Sequence, residues 1–130
     1  MKRNAVLQPL SREHHTALSL GNACLRAAQS GDHALIKQSC ERALQHYARE
    51  LDMHFNTEEL TLLPLLKTDE TRLLAQRTLR EHQQLRGLQE GLRLNHTASL
   101  LEFGQLLMAH VRFEERELFP ALEQYLNTDH

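Results

Sequence analysis

The chain has no tryptophan, and only five glycines and three prolines in 130 residues. That scarcity argues against a turn-rich all-β fold and against a disordered tail. The branched aliphatics that favour strands are nearly missing too: Val6, Val111 and Ile36 are all there are. Cysteine occurs only as Cys24 and Cys40, too far apart for a CxxC metal or redox motif. They read as free, buried or half-buried thiols of a cytoplasmic protein. No excess of either charge stands out, with 15 Lys and Arg against 17 Asp and Glu and a net charge of -2. A nucleic-acid partner or an anionic membrane surface is therefore not expected. No apolar run approaches the roughly 20 residues of a membrane span. The opening MKRNAVLQPLSREHH has basic residues but no apolar stretch after them, so it does not read as a secretory signal.

What remains is ordinary globular usage, 41% hydrophobic and 25% charged, with one anomaly: nine histidines. The length suits one domain, residues 1–130, with its core over about 10–126. No segment reads as a linker.

Breakers divide the chain into four helical segments. Pro9-Leu10-Ser11 opens the first, with Ser11 as the expected N-cap. Helical spacing follows through His14, Ala17, Leu18, Gly21, Cys24, Leu25 and Ala28. Ser30-Gly31-Asp32 ends that helix and caps the next. The second segment runs from about His33 to Leu63 and is closed by Pro64. Thr68 or Asp69 caps the third, which carries Leu74, Ala75, Thr78, Leu79, His82, Leu85, Leu88 and Leu92. The fourth starts near Ala98, carries Leu100, Phe103, Leu107, His110, Glu114, Leu118 and Leu122, and weakens at Asn127. Four amphipathic helices with short connections predict an all-α, antiparallel up-down four-helix bundle.

An internal repeat carries the chemistry. Residues 54–66 and 110–122 both read H-x-x-x-E-E-x-x-L-x-P-x-L. Each places a histidine and a glutamate one helical turn apart, on the apolar face. Leu51 and Tyr47 lie upstream of His54 on that face, and Leu107 and Phe103 upstream of His110. A carboxylate aimed into a core is expensive unless paired or metal-bound. Imidazole nitrogen and carboxylate oxygen together suit divalent iron, manganese or zinc.

The other two helices show a weaker echo, Glu13-His14 and Glu81-His82, each followed by small or apolar residues at matching offsets. The candidate metal ligands are therefore His14, His54, Glu58, His82, His110 and Glu114. Each glutamate has two oxygens and could bridge two ions, with the histidines as terminal ligands. Six groups do not fill two octahedral shells. Positions are left for a bridging oxide or hydroxide and for a small ligand.

At these residues the chain resembles the hemerythrin-like, or HHE cation-binding, family in its bacterial form, over about Leu10 to Leu126. The resemblance implies a four-helix bundle around two non-haem iron ions bridged by Glu58 and Glu114, with His54, His82 and His110 among the ligands. In the first helix His14 and His15 compete; helical angle favours His14, which shares a face with Leu18 and Leu25. The oxygen-carrying invertebrate members have a further histidine where this chain has Thr78, and an aspartate where it has Glu114. That departure argues against simple oxygen carriage. It suits binding of O2, nitric oxide or peroxide in sensing or stress response.

A di-iron peroxidase or oxidase is the alternative, with Tyr47 and Tyr125 as the evident extra polar groups; an iron store or donor is another. Sensing would require a separate signalling partner, and a homodimer is compatible with the sequence. Glu59, Glu115 and Glu117 read as solvated or as supports for ligand histidines. His33, His46, His96 and His130 read as surface residues. His46 stands apart from the other three because, with Glu50, it continues the row of His54 and Glu58 in steps of four.

Overall fold

A computed structural model describes residues 2–127; His130, read above as a surface residue, lies outside them. Among the described residues there are four helical rods and no strand. The first is Gln8–Ser30. The second runs through His33–His46, Tyr47–Leu51, Asp52–Thr57 and Glu58–Leu62, and ends in a 3-10 turn at Leu63–Leu65. The third is Asp69–Gly87 with a short continuation, Gln89–Arg93. The fourth runs through Thr97–Phe113, Glu114–Leu118 and Phe119–Leu126.

Local chemistry accounts for most of the ends. Gly31 takes a left-handed conformation (φ 70°) and stops the first helix. The Asp32 carboxylate accepts from the amides of Ala34 and Leu35 and starts the second. Thr68 and Thr71 form a reciprocal capping box at the third. Asn95, at φ 59°, makes the turn into the fourth. One expected cap is corrected: Ser11 is inside the first helix, which begins three residues earlier with Pro9 in its first turn. Its hydroxyl donates to Glu115 at 2.8 Å instead.

The long rods also depart from a plain α pattern. Tyr47–Leu51, Glu58–Leu62 and Glu114–Leu118 are π-helical turns. Two of the three begin at the repeated glutamates. A π turn inserts one residue and shifts the face that follows.

Buried apolar side chains form two clusters. The larger includes Leu20, Cys24, Cys40, Leu51, Phe55, Leu85, Phe103 and Leu107. The smaller includes Leu7, Leu10, Leu62, Leu66, Phe113, Leu118, Phe119 and Leu122. Leu79, expected on the apolar face of the third helix, is exposed instead. The first and third rods run from the smaller cluster to the larger, and the second and fourth run the opposite way. That alternation is the order an up-and-down bundle produces. His14, His54, His82 and His110 all sit at the level where the two clusters meet. No helix is long and apolar enough to cross a membrane.

The first and fourth helices meet where glycine faces glycine. A Cβ on Gly104 would stand 2.7 Å from the carbonyl oxygen of Gly21. Cys24 and Cys40 are free and buried, and burial pushes the Cys24 thiol up to about 12. Neither thiol is a nucleophile at neutral pH.

Candidate metal centre

The six sequence-predicted residues converge. His14, His54, Glu58, His82, His110 and Glu114 are all buried, and Glu58, His82 and Glu114 are 0% exposed. His15, the competitor in the first helix, faces solvent. His33 and His96 are exposed as expected. His46 is not a free surface residue: it is half-buried, with Nε2 shielded from solvent and 3.5 Å from Glu50. It belongs to neither group of converging ligand atoms.

Every one of the four histidines turns Nε2 inward. His14 Nε2 is 2.8 Å from Glu114 Oε1, and His110 Nε2 is 3.2 Å from Glu114 Oε2. His54 Nε2 is 3.2 Å from Glu58 Oε2, and His82 Nε2 is 3.0 Å from Glu58 Oε1. The longer diagonals, from His54 and His82 to Glu114, are 3.7 and 3.8 Å. Two ligands at right angles, each about 2.1 Å from a shared ion, are about 3 Å apart, so the spacing fits.

The donor atoms fall into two groups, each within 4.8 Å: His14, His54, Glu58, Glu114 and Glu58, His82, His110, Glu114. Both glutamates belong to both groups, and either group could hold a metal ion. Both Glu58 oxygens and the Nε2 atoms of His82 and His110 are buried without a hydrogen bond. Polar atoms left that way are costly, and a cation between them would remove the cost.

Every histidine also turns Nδ1 outward onto a carboxylate. His14 meets Glu115 at 2.6 Å and His54 meets Glu13 at 2.8 Å. His82 meets Glu59 at 2.6 Å and His110 meets Glu81 at 2.7 Å. The order is cyclic. Each rod lends a glutamate to the histidine of the next, and the fourth lends Glu115 back to the first. With Nδ1–H donating to the carboxylate, Nε2 keeps its lone pair for a metal and gains basicity.

Glu13 and Glu81 acquire these partners only across helices. The duplicated Glu-His dipeptide is the signal that could have pointed to them. Glu59 and Glu115 follow Glu58 and Glu114 directly, and a π turn begins at each of those pairs. Glu117 stays on the surface, 3.6 Å from Arg77.

Aromatic rings brace the histidines. Phe55 stacks on His82 with centroids 4.1 Å apart, and Phe119 on His14 at 5.1 Å. The electrostatics are those of a cage that wants positive charge. Burial alone would push His110 down, but the Glu114 carboxylate overrides it and raises it to about 10. Burial likewise opposes protonation of His54, yet Glu58 and Glu114 hold it well above its usual value. Burial acts to raise the Glu114 carboxyl, yet the surrounding histidines, His110 foremost, keep it well below the usual range.

A family model for the hemerythrin HHE cation binding domain matches residues 6–122. No curated protein and no solved structure gives a match.

Proposed function

This chain belongs to the hemerythrin HHE cation-binding domain family, and from that premise we propose that it holds two non-haem iron ions and binds a small ligand beside them. One observation carries the reading. Two four-residue groups share Glu58 and Glu114 while keeping separate pairs of histidines. His14 and His54 would serve one ion, His82 and His110 the other, with the glutamates spanning both. The donors are imidazole nitrogen and carboxylate oxygen, a set that takes iron, manganese or zinc.

Bound iron would supply open coordination positions and a change of oxidation state, suited to O2, nitric oxide or peroxide in sensing or stress response. The chain's own residues provide the surroundings. Glu13, Glu59, Glu81 and Glu115 fix the ring orientation of the four histidines. The two apolar clusters close the site from both ends and keep bulk water from it. Phe55 and Phe119 limit how far His82 and His14 can turn.

Metal analysis after anaerobic reconstitution tests the reading. About two iron ions per chain are expected, with near-ultraviolet absorption that changes on adding nitric oxide. A folded protein that retains no iron overturns it.

A further inference from the structure

The four outer carboxylates are not held alike. Glu59 accepts from Arg86 at 2.8 Å, and Glu81 from Arg77 at 3.0 Å. Glu115 accepts from Ser11 at 2.8 Å and from Arg3 at 3.2 Å. Glu13 accepts from His54, and among the described residues no arginine, lysine or hydroxyl holds it. The histidines differ in the same sense. His14 and His82 are each stacked flat on a phenylalanine, and His110 has a pinned carboxylate behind it. His54 has only Glu13 behind it, and no ring is stacked flat on it: His14 is tilted 41° at 4.9 Å and Phe55 meets it edge-on at 6.2 Å.

A cavity of about 260 Å³ opens on this one weakly held pair, lined by Pro9, Glu13, Met53, His54, Thr57 and Thr61 among others. Two further surface cavities flank the site elsewhere. One, about 270 Å³, is lined by Arg77, Arg112 and Arg116 with Glu117. The other, about 300 Å³, is lined by Lys2, Arg3 and Arg12. A divalent cation is repelled at both. At the first cavity the charged side chain is a carboxylate.

We infer that the cavity over Glu13 and His54 is the route by which a divalent metal ion reaches and leaves the centre, so that the His14–His54 ion exchanges before the His82–His110 ion. The inference rests on the two-ion reading above. Glu13 attracts the ion at the mouth, and His54 has room to turn into the cavity and hand it inward. Behind the other three histidines the carboxylate is held by an arginine or a hydroxyl as well.

The test is release of Fe(II) from the anaerobically loaded full chain to an excess of a chromogenic iron(II) chelator. Two phases are expected, each of one ion per chain. Thr57→Phe, which fills the cavity, should slow the fast phase about tenfold, as gating of a route does, and leave the slow one. Ala109→Phe, at the arginine-lined cavity, should change neither. Met53→Trp, at a position 72% exposed, is the second cavity-filling variant should Thr57→Phe fail to fold. Crystals of protein stopped after the fast phase should show anomalous scattering from iron at His82 and His110. Release in one phase, an unaltered fast phase in the folded cavity-filled variant, or residual iron at His14 and His54 overturns the inference. A folded chain that never takes up two ions refutes the two-ion reading instead, which separates the two failures.

Discussion

Nδ1 of His82 lies 2.6 Å from a carboxylate oxygen of Glu59, and the same oxygen accepts from Arg86 at 2.8 Å. A histidine, a carboxylate and an arginine thus stand in one line from the core to the surface. The carboxylate orients the ring; the arginine keeps the carboxylate charged and in place. Burial acts to raise the Glu59 carboxyl, but Arg86 and His82 hold it below its usual value. Glu59→Gln keeps the shape and loses the charge. Metal affinity should fall about 10–100-fold with the helical signal unchanged, as read by competition with a chelator.

Glu114 is 0% exposed and lies within 4 Å of all four inward nitrogens. It belongs to both ligand groups, so its loss touches both ions. Glu114→Ala should leave fewer than one iron per chain against about two in the parent, measured on protein reconstituted side by side.

Helix geometry distinguishes adjacent histidines. His14 is buried against Glu114, whereas His15 faces solvent. His14→Ala should reduce iron content, and His15→Ala should leave it at the parent value. Equal loss in both variants would refute the assignment.

The metal-free protein should be less stable in alkali. His110 is raised to about 10 from an ordinary 6.5, and His14, His54 and His82 are raised as well. The folded chain then binds more protons than the unfolded one above pH 6.5. A raised folded value contributes stability that is complete below the unfolded value and is lost as pH climbs through the folded one. The melting midpoint of the metal-free protein should fall between about pH 7 and pH 10. With metal bound the ions replace the protons as counter-charge, and the fall should be much smaller.

The contact between Gly21 and Gly104 sets how closely the first and fourth helices approach. A methyl group on Gly104 meets backbone at 2.7 Å and the Cys24 Cβ at 3.1 Å. Neither can move without moving a helix. Gly104→Ala should destabilise by about 1–3 kcal/mol in denaturant unfolding, although alanine is the better helix former.

Much of the fold was legible because it depends on near neighbours. Gly31, Asp32 and Thr68 act within three residues of themselves, so the helix ends they make follow from sequence alone. Ser11 shows where that reasoning stops. Its hydroxyl has a distant partner, Glu115, that outweighs the cap it could have been. The π turns at Glu58 and Glu114 were not legible either, since nothing in the residues around them breaks the helical pattern.

The six inward residues could be read from spacing because a helix fixes which side chains share a face. Two copies of H-x-x-x-E-E and two Glu-His pairs are statements about 100° steps, and those hold before any helix meets another. The outer ring is different. Glu13 meets His54 across 41 positions and Glu115 meets His14 across 101, and no periodicity measures the distance between two rods. Which carboxylates are pinned by arginine, and which one faces a cavity, was likewise decided by packing. Spacing along each helix is enough to give the donors and the face they occupy. How those donors are supported, and which of them is loosely held, follows from packing, because support comes from side chains on neighbouring helices whose register depends on the whole core.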